Sequence, residues 1–200
     1  METITYKVKN SLYVNMTNRC TSNCTFCIRS FGDGAYGSPS LWLDKEPTAD
    51  QIAEEVLSHD LNTFDELVFC GYGEPTMRID ELVYTAKKVK AVSDIRIRIN
   101  TNGHANLYHK KDITPMLEGI IDVVSVSLNS AHKEQYDKVC RPAYKNAYEA
   151  MLEFTSLSSA HVEQVIMSVV RGTIPDEEIE LCEKIAKEHG ATLRVREFDQ

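Results

Sequence analysis

Short runs in which apolar and β-branched residues recur at every second position alternate along this chain with stretches whose apolar residues recur every third or fourth. The first kind falls at 11–15 (SLYVN), 66–70 (ELVFC), 94–100 (DIRIRIN), 121–127 (IDVVSVS), 163–170 (EQVIMSVV) and 191–197 (ATLRVRE), which predicts six strands. The second kind predicts helices over 48–58, 78–92, 113–119, 133–157 and 175–190, the last with Pro175 near its start and Gly190 as a C-cap. Strands alternating with helices make βαβ units and a parallel sheet, so the fold class is α/β. Periodicity alone leaves open whether the sheet is doubly wound or a partial barrel. In either case ligands gather at the carboxyl ends of the strands. The one long irregular stretch, 28–47, holds three Gly and two Pro, and loops of that length are often functional.

Composition narrows the class. Two hundred residues, 42% hydrophobic and 26% charged, suit one globular domain, read here as 1–200, and exclude disordered or repetitive classes. A net charge of -8, from 22 Lys+Arg against 30 Asp+Glu, makes nucleic acid an unattractive partner. No apolar run is long enough to span a membrane and the N-terminus lacks a signal-peptide layout, so the expected location is cytoplasmic.

In that setting the placement of the six cysteines matters more than their number. Cys70, Cys140 and Cys182 stand singly, whereas Cys20, Cys24 and Cys27 form C-x3-C-x2-C directly after the first predicted strand. Three soft thiolates on one loop suit an iron-sulfur cluster. A structural zinc site closes with four ligands, and no His precedes His59, so a zinc reading needs a distant fourth ligand. Three incidental thiols are the remaining alternative.

The second predicted strand runs into Gly71-Tyr72-Gly73-Glu74-Pro75-Thr76, where glycines permit close backbone approach to a ligand and exposed carbonyls can accept from an ammonium group. The third ends in Asn100-Thr101-Asn102-Gly103 and the fourth in Ser125-Val126-Ser127-Leu128-Asn129-Ser130, both rich in short polar side chains that also form ordinary turns. The fifth ends at Arg171-Gly172, and Arg194 and Arg196 share one face of the sixth.

The cysteine motif with Phe26 before its last Cys, the Gly-Glu-Pro turn, Thr-Asn-Gly and Ser-Leu-Asn together resemble the radical SAM superfamily over nearly the whole chain. The resemblance implies a single-domain partial (βα)6 TIM-type barrel with a six-stranded parallel sheet. It implies that Cys20, Cys24 and Cys27 bind one 4Fe-4S cluster with an open iron for S-adenosylmethionine, whose reductive cleavage gives methionine and a hydrogen-abstracting 5'-deoxyadenosyl radical. It assigns cofactor contacts to Phe26, Gly71, Gly73, Glu74, Asn102, Ser127, Asn129 and Arg171 and an electron donor of the flavodoxin or ferredoxin type. The usual Gly-Gly-Glu-Pro is here Gly-Tyr-Gly-Glu-Pro, which shifts the register of the first glycine. The narrower likeness is to the short radical SAM proteins linked to TatD-type DNases. Other readings are a glycyl-radical-enzyme activase acting on a protein loop, small-molecule ring contraction, or a non-catalytic zinc or iron-sulfur binding module. The loop 28–47, with Phe31, Tyr36 and Trp42, is either a substrate lid or a docked surface segment.

Overall fold

Each strand of the parallel sheet carries two different faces. A computed structural model describes residues 2–197, with strands β1 (Thr5–Val8), β2 (Ser11–Val14), β3 (Glu66–Phe69), β4 (Arg96–Thr101), β5 (Val123–Ser127), β6 (Gln164–Val170) and β7 (Thr192–Arg196). Leu67 and Phe69, Ile97 and Ile99, Val124 and Val126, and Val165, Met167 and Val169 are all buried in one apolar core. The alternate positions are mostly polar: Tyr13, Arg98, Asn100, Ser125, Ser127, Ser168, Arg194 and Arg196, aligned by the register pairs Asn100–Ser125, Ser127–Ser168 and Ser168–Arg194. Arg98 is only 6% exposed on that face, and its guanidinium grips both Glu66 carboxylate oxygens at 2.6 and 3.1 Å.

The strands lie in sequential order, β1 to β7, with β1 antiparallel to β2 and the other five pairs parallel. A doubly wound sheet reverses its strand order; this one does not. Right-handed crossovers taken always in one direction place the helices on one side, leaving the polar face as the inner wall of an open partial barrel. The six predicted strands are β2 to β7. The seventh, β1, is an addition to the expected six-stranded sheet: it joins β2 through a two-residue turn at Lys9-Asn10, with Lys9 at φ 53°, a turn without the glycine that marks such hairpins.

The helices are α1 (Ala49–Leu57), α2 (Ile79–Lys90), α3 (Ala105–His109), α4 (Lys133–Cys140), α5 (Ala147–Ser158) and α6 (Asp176–Glu188). α1 opens with a capping box between Thr48 and Gln51. The single helix expected over 133–157 is two: Arg141 adopts a left-handed φ of 45° and Pro142 has no N–H to continue the ladder. The helix expected at 113–119 is a 3-10 turn over Thr114–Leu117, and α3, five residues long, is too short for periodicity to reveal. Among the described residues no helix is long and apolar enough to cross a membrane.

The loop 28–47 is strapped down. Leu41 is fully buried in a small second cluster with Tyr6, Ala35 and Tyr72. The Tyr72 hydroxyl donates to Gly32 O at 2.7 Å, and Asn15 Nδ2, itself buried, donates to Leu41 O at 2.8 Å. Phe31, Tyr36 and Trp42 remain exposed at 58, 50 and 41%.

Candidate functional site

The three clustered cysteines leave β2 at its carboxyl end and double back across the α4–α5 break. Thr25 N–H donates to Val139 O (2.8 Å), Asn23 N–H to Cys140 O (3.0 Å) and Arg141 O (3.3 Å), and Ala143 N–H to Thr21 O (2.8 Å). The helix interruption is therefore the surface on which the cysteine loop is laid. Cys27 then heads a 3-10 turn over Ile28–Ser30. At its start the loop is anchored by Arg19, whose guanidinium pairs with both Glu46 oxygens at 2.7 and 3.0 Å, while Thr17 donates to the same carboxylate.

All three thiols are half-buried. Burial, reinforced by the Glu74 charge, pushes the Cys20 thiol up to about 12, and burial also raises Cys27. Cys24 is raised chiefly by the hydrogen bond it shares with Cys140. Thiols held in the neutral form become ligands when a cation displaces the proton. Among the described residues no three His, Cys, Asp or Glu side chains converge closely enough for one metal ion. Three soft thiol donors on one loop suit an iron-sulfur cluster by ligand type.

The turns after β3 and β4 form the floor. Gly71 and Gly73 are required by the chain itself: a Cβ on Gly71 would meet Asn15 Oδ1 at 2.1 Å, and one on Gly73 would meet Thr17 O at 2.3 Å and Arg19 O at 2.5 Å. The close approach expected toward a ligand is thus made by this turn to the segment that launches the cysteine loop. Glu74, 4% exposed, is saturated by four donors. Its Oε1 accepts from Thr76 N (3.1 Å), Thr76 Oγ1 (2.6 Å) and Thr101 Oγ1 (2.7 Å), and its Oε2 from Asn102 N (2.8 Å). Burial raises its carboxyl while these donors oppose the shift. Its side chain ties the β3 turn to the end of β4.

Asn102 reaches the cysteine loop, with Nδ2 2.9 Å from Thr21 Oγ1 and 3.7 Å from Cys20 Sγ. Asn129, at a left-handed φ of 59°, donates from Nδ2 to Cys140 Sγ at 3.2 Å, and its buried Oδ1 has no partner among the described residues. Ser127 lies half-buried at the end of β5 on the polar face, and Phe26 is half-buried within the loop. The structure thus brings Asn102 to Cys20 and Asn129 to Cys140, on the helix end against which the cysteine loop lies. Arg171, at the end of β6, is exposed and pairs through Nε with Glu197 and through Nη1 with Asp176, each at 3.1 Å.

Two participants escape the sequence reading. His104, 1% exposed, bridges Thr21 Oγ1 (3.0 Å, Nδ1) and the hydroxyl of buried Tyr136 (2.7 Å, Nε2), and burial lowers its pKa to about 4. His104 follows Thr101-Asn102-Gly103 directly, but nothing local marks a histidine as buried. Tyr136 lies on α4, so the relay links the helix before the break to the loop laid on it.

A polar-lined, singly wound partial barrel with a three-thiol loop at the carboxyl ends of its strands defines the class of protein. The Radical SAM superfamily model matches residues 14–189, and the chain belongs to that superfamily. Curated relatives include a probable GTP 3',8-cyclase of Methanothermobacter marburgensis, 26% identical over 189 residues, covering 94% of this chain and 57% of the relative. Another is the GTP 3',8-cyclase of Aquifex aeolicus, 25% identical over 194 residues, covering 94% and 56%. The chain therefore spans a little over half the length of these relatives. Solved structures with the same fold include Streptococcus suis SuiB bound to precursor peptide SuiA, with TM-score 0.73 and 14% identity over 95% of this chain and 39% of that one. A radical SAM methyltransferase from Sphaerobacter thermophilus aligns with TM-score 0.60 and 14% identity over 96% and 57%.

Proposed function

We propose that this chain is the core of a radical SAM enzyme in which Cys20, Cys24 and Cys27 hold one 4Fe-4S cluster and the strand ends beside them bind S-adenosylmethionine. A bound, reduced cluster would supply the electron for reductive cleavage of S-adenosylmethionine, with Cys20, Cys24 and Cys27 as the residues that would hold it. The observation that carries the reading is that Asn102 reaches Cys20 of the loop while Asn129, bonded to Cys140 beside it, keeps a buried Oδ1 with no partner among the described residues. An orphaned buried acceptor costs about 1–3 kcal/mol, a cost that a ligand donor at that position removes.

In this reading Asn129 Oδ1 accepts from the cofactor's hydroxyl or ammonium groups, with Ser127 beside it on the polar face. Asn102 positions Cys20. The turn Gly71–Glu74 offers backbone carbonyls, while the Glu74 carboxylate holds the ends of β3 and β4 in register. Phe26, next to Cys27, covers the adenine. We assign Arg171 no cofactor contact, because its guanidinium is committed to Glu197 and Asp176. Electrons come from a flavodoxin- or ferredoxin-type donor. The functional link to a TatD-type DNase rests on the motif resemblance, and the substrate is open between small molecule and peptide.

Anaerobic reconstitution with iron and sulfide tests the ligand set. The wild-type chain should retain about four iron and four sulfide, and Cys24→Ala should retain almost none. One zinc per chain without sulfide, or full iron content in Cys24→Ala, overturns the assignment.

A further inference from the structure

The fourth thiol beside the loop, Cys140, is not used in the scheme above. Residues 21–25 lie against residues 139–143, with Ser22 and Pro142 forming an antiparallel bridge. Cys24 stands between Asn23, whose N–H donates to Cys140 O at 3.0 Å, and Thr25, whose N–H donates to Val139 O at 2.8 Å, so its backbone runs directly beside Cys140 at the end of α4. Disulfide-linked residues need their Cα atoms within roughly 4.4–6.8 Å of each other.

The side chains agree with the backbone. Cys24 and Cys140 share a hydrogen bond, and Asn129 Nδ2, 3.2 Å from Cys140 Sγ, holds that sulfur in place. Cys20 Sγ is engaged on another side, by Ser22 N–H at 3.4 Å and Asn102 Nδ2 at 3.7 Å. Cys140 is 1% exposed and Cys24 half-buried, while the interaction between them lowers the Cys140 thiol and raises that of Cys24, so exposure favours one sulfur and acidity the other.

We propose that Cys140 is the disulfide partner of Cys24, and that in the cluster-free protein the two close a reversible disulfide that withdraws one of the three loop thiols from metal binding. With hydrogen peroxide as oxidant, the sulfur of one of the two attacks a peroxide oxygen, the O–O bond breaks, and a sulfenic acid and one water form. The other sulfur then attacks the oxidised sulfur, the S–O bond breaks, and the second water leaves as the S–S bond forms. The two thiols lose two electrons and the peroxide gains them; a dithiol reductant reverses the step. Protection by the cluster rests on the ligand assignment proposed above, whereas the disulfide itself does not.

The test is peptide mapping of the full chain. Cluster-free protein is treated with one equivalent of hydrogen peroxide, blocked with iodoacetamide and digested with trypsin without reduction. The expected main product is the peptide 20–29 linked to the peptide 139–145, with fragmentation assigning the bond to Cys24 and Cys140. Dithiothreitol should abolish the product, and Cys140→Ser, checked for an unchanged circular dichroism spectrum, should not form it. Recovery of Cys140 as its alkylated form, with oxidation confined to Cys20, Cys24 and Cys27 or absent, overturns the proposal. Protein that iron analysis shows to be loaded should not form the link. If loaded protein links as fast as cluster-free protein, the disulfide stands and Cys24 is removed from the ligand set.

Discussion

Acidification from pH 7.5 to pH 5.0 is expected to loosen the cysteine loop through one residue, His104. Burial depresses its pKa to about 4 from an unperturbed 6.5, so the native state holds the ring neutral while the unfolded chain takes up a proton below pH 6.5. Stability from this residue is fully present above pH 6.5 and is lost progressively as pH falls toward the folded value near 4. With 1.36 kcal/mol per pKa unit, the loss is about 2 kcal/mol at pH 5.0 and about 3 kcal/mol once the folded pKa is passed. Its consequence is local as well as global, because the neutral ring joins Thr21 of the loop to Tyr136 of α4. Urea unfolding of the cluster-free protein across pH 5.0–7.5, wild type against His104→Gln, isolates the contribution, since other titrating groups are common to both. The variant should start lower and show a pH slope smaller by about 2 kcal/mol over the range. Parallel curves for the two proteins would refute the reasoning.

Three further outcomes follow from the geometry. Gly73→Ala should destabilise the fold by about 3 kcal/mol, because its Cβ would meet two backbone carbonyls that cannot swing away. Gly32→Ala, with nothing nearer than Gly34 O at 3.7 Å, should change the urea midpoint little; equal effects would contradict this account of the turn. Asn129→Gly, which keeps the left-handed backbone, should weaken S-adenosylmethionine binding about tenfold by calorimetry on the loaded protein, in keeping with loss of one hydrogen bond. Unchanged affinity would remove Asn129 from the cofactor site. Cys24→Ala should lose iron and sulfide together, whereas loss of sulfide alone would point to a different ligand set.

Much of this fold was legible because α/β periodicity is a local signal. The six strands expected from alternation are β2 to β7, and the α/β class with parallel pairing followed from the helices between them. The choice of partial barrel over doubly wound sheet was not local, since it depends on strand order, and only the resemblance indicated it. The α4–α5 break is masked in the sequence because Val139-Cys140 and Ala147-Tyr148 continue one apolar pattern across Arg141-Pro142, where the proline is the local signal against a continuous helix. The cysteines, Asn102 and Asn129 stood out by spacing and position. Glu74 and Arg171 also stand out, yet whether a side chain faces a ligand or is engaged by neighbours is set by partners from 2 to 28 residues away, most of them distant in sequence. His104 and Tyr136 carry no sequence mark, because burial is a property of the packed fold.

The central claim is that this loop supports reductive cleavage of S-adenosylmethionine. The most direct test incubates the anaerobically reconstituted, dithionite-reduced protein with the cofactor and follows 5'-deoxyadenosine and methionine by mass spectrometry. The account predicts both products in equal amounts from the wild-type chain, even without substrate, and neither from Cys24→Ala. A fully loaded wild-type protein that forms neither product, and whose reduced electron paramagnetic resonance spectrum is unchanged by the cofactor, would contradict it.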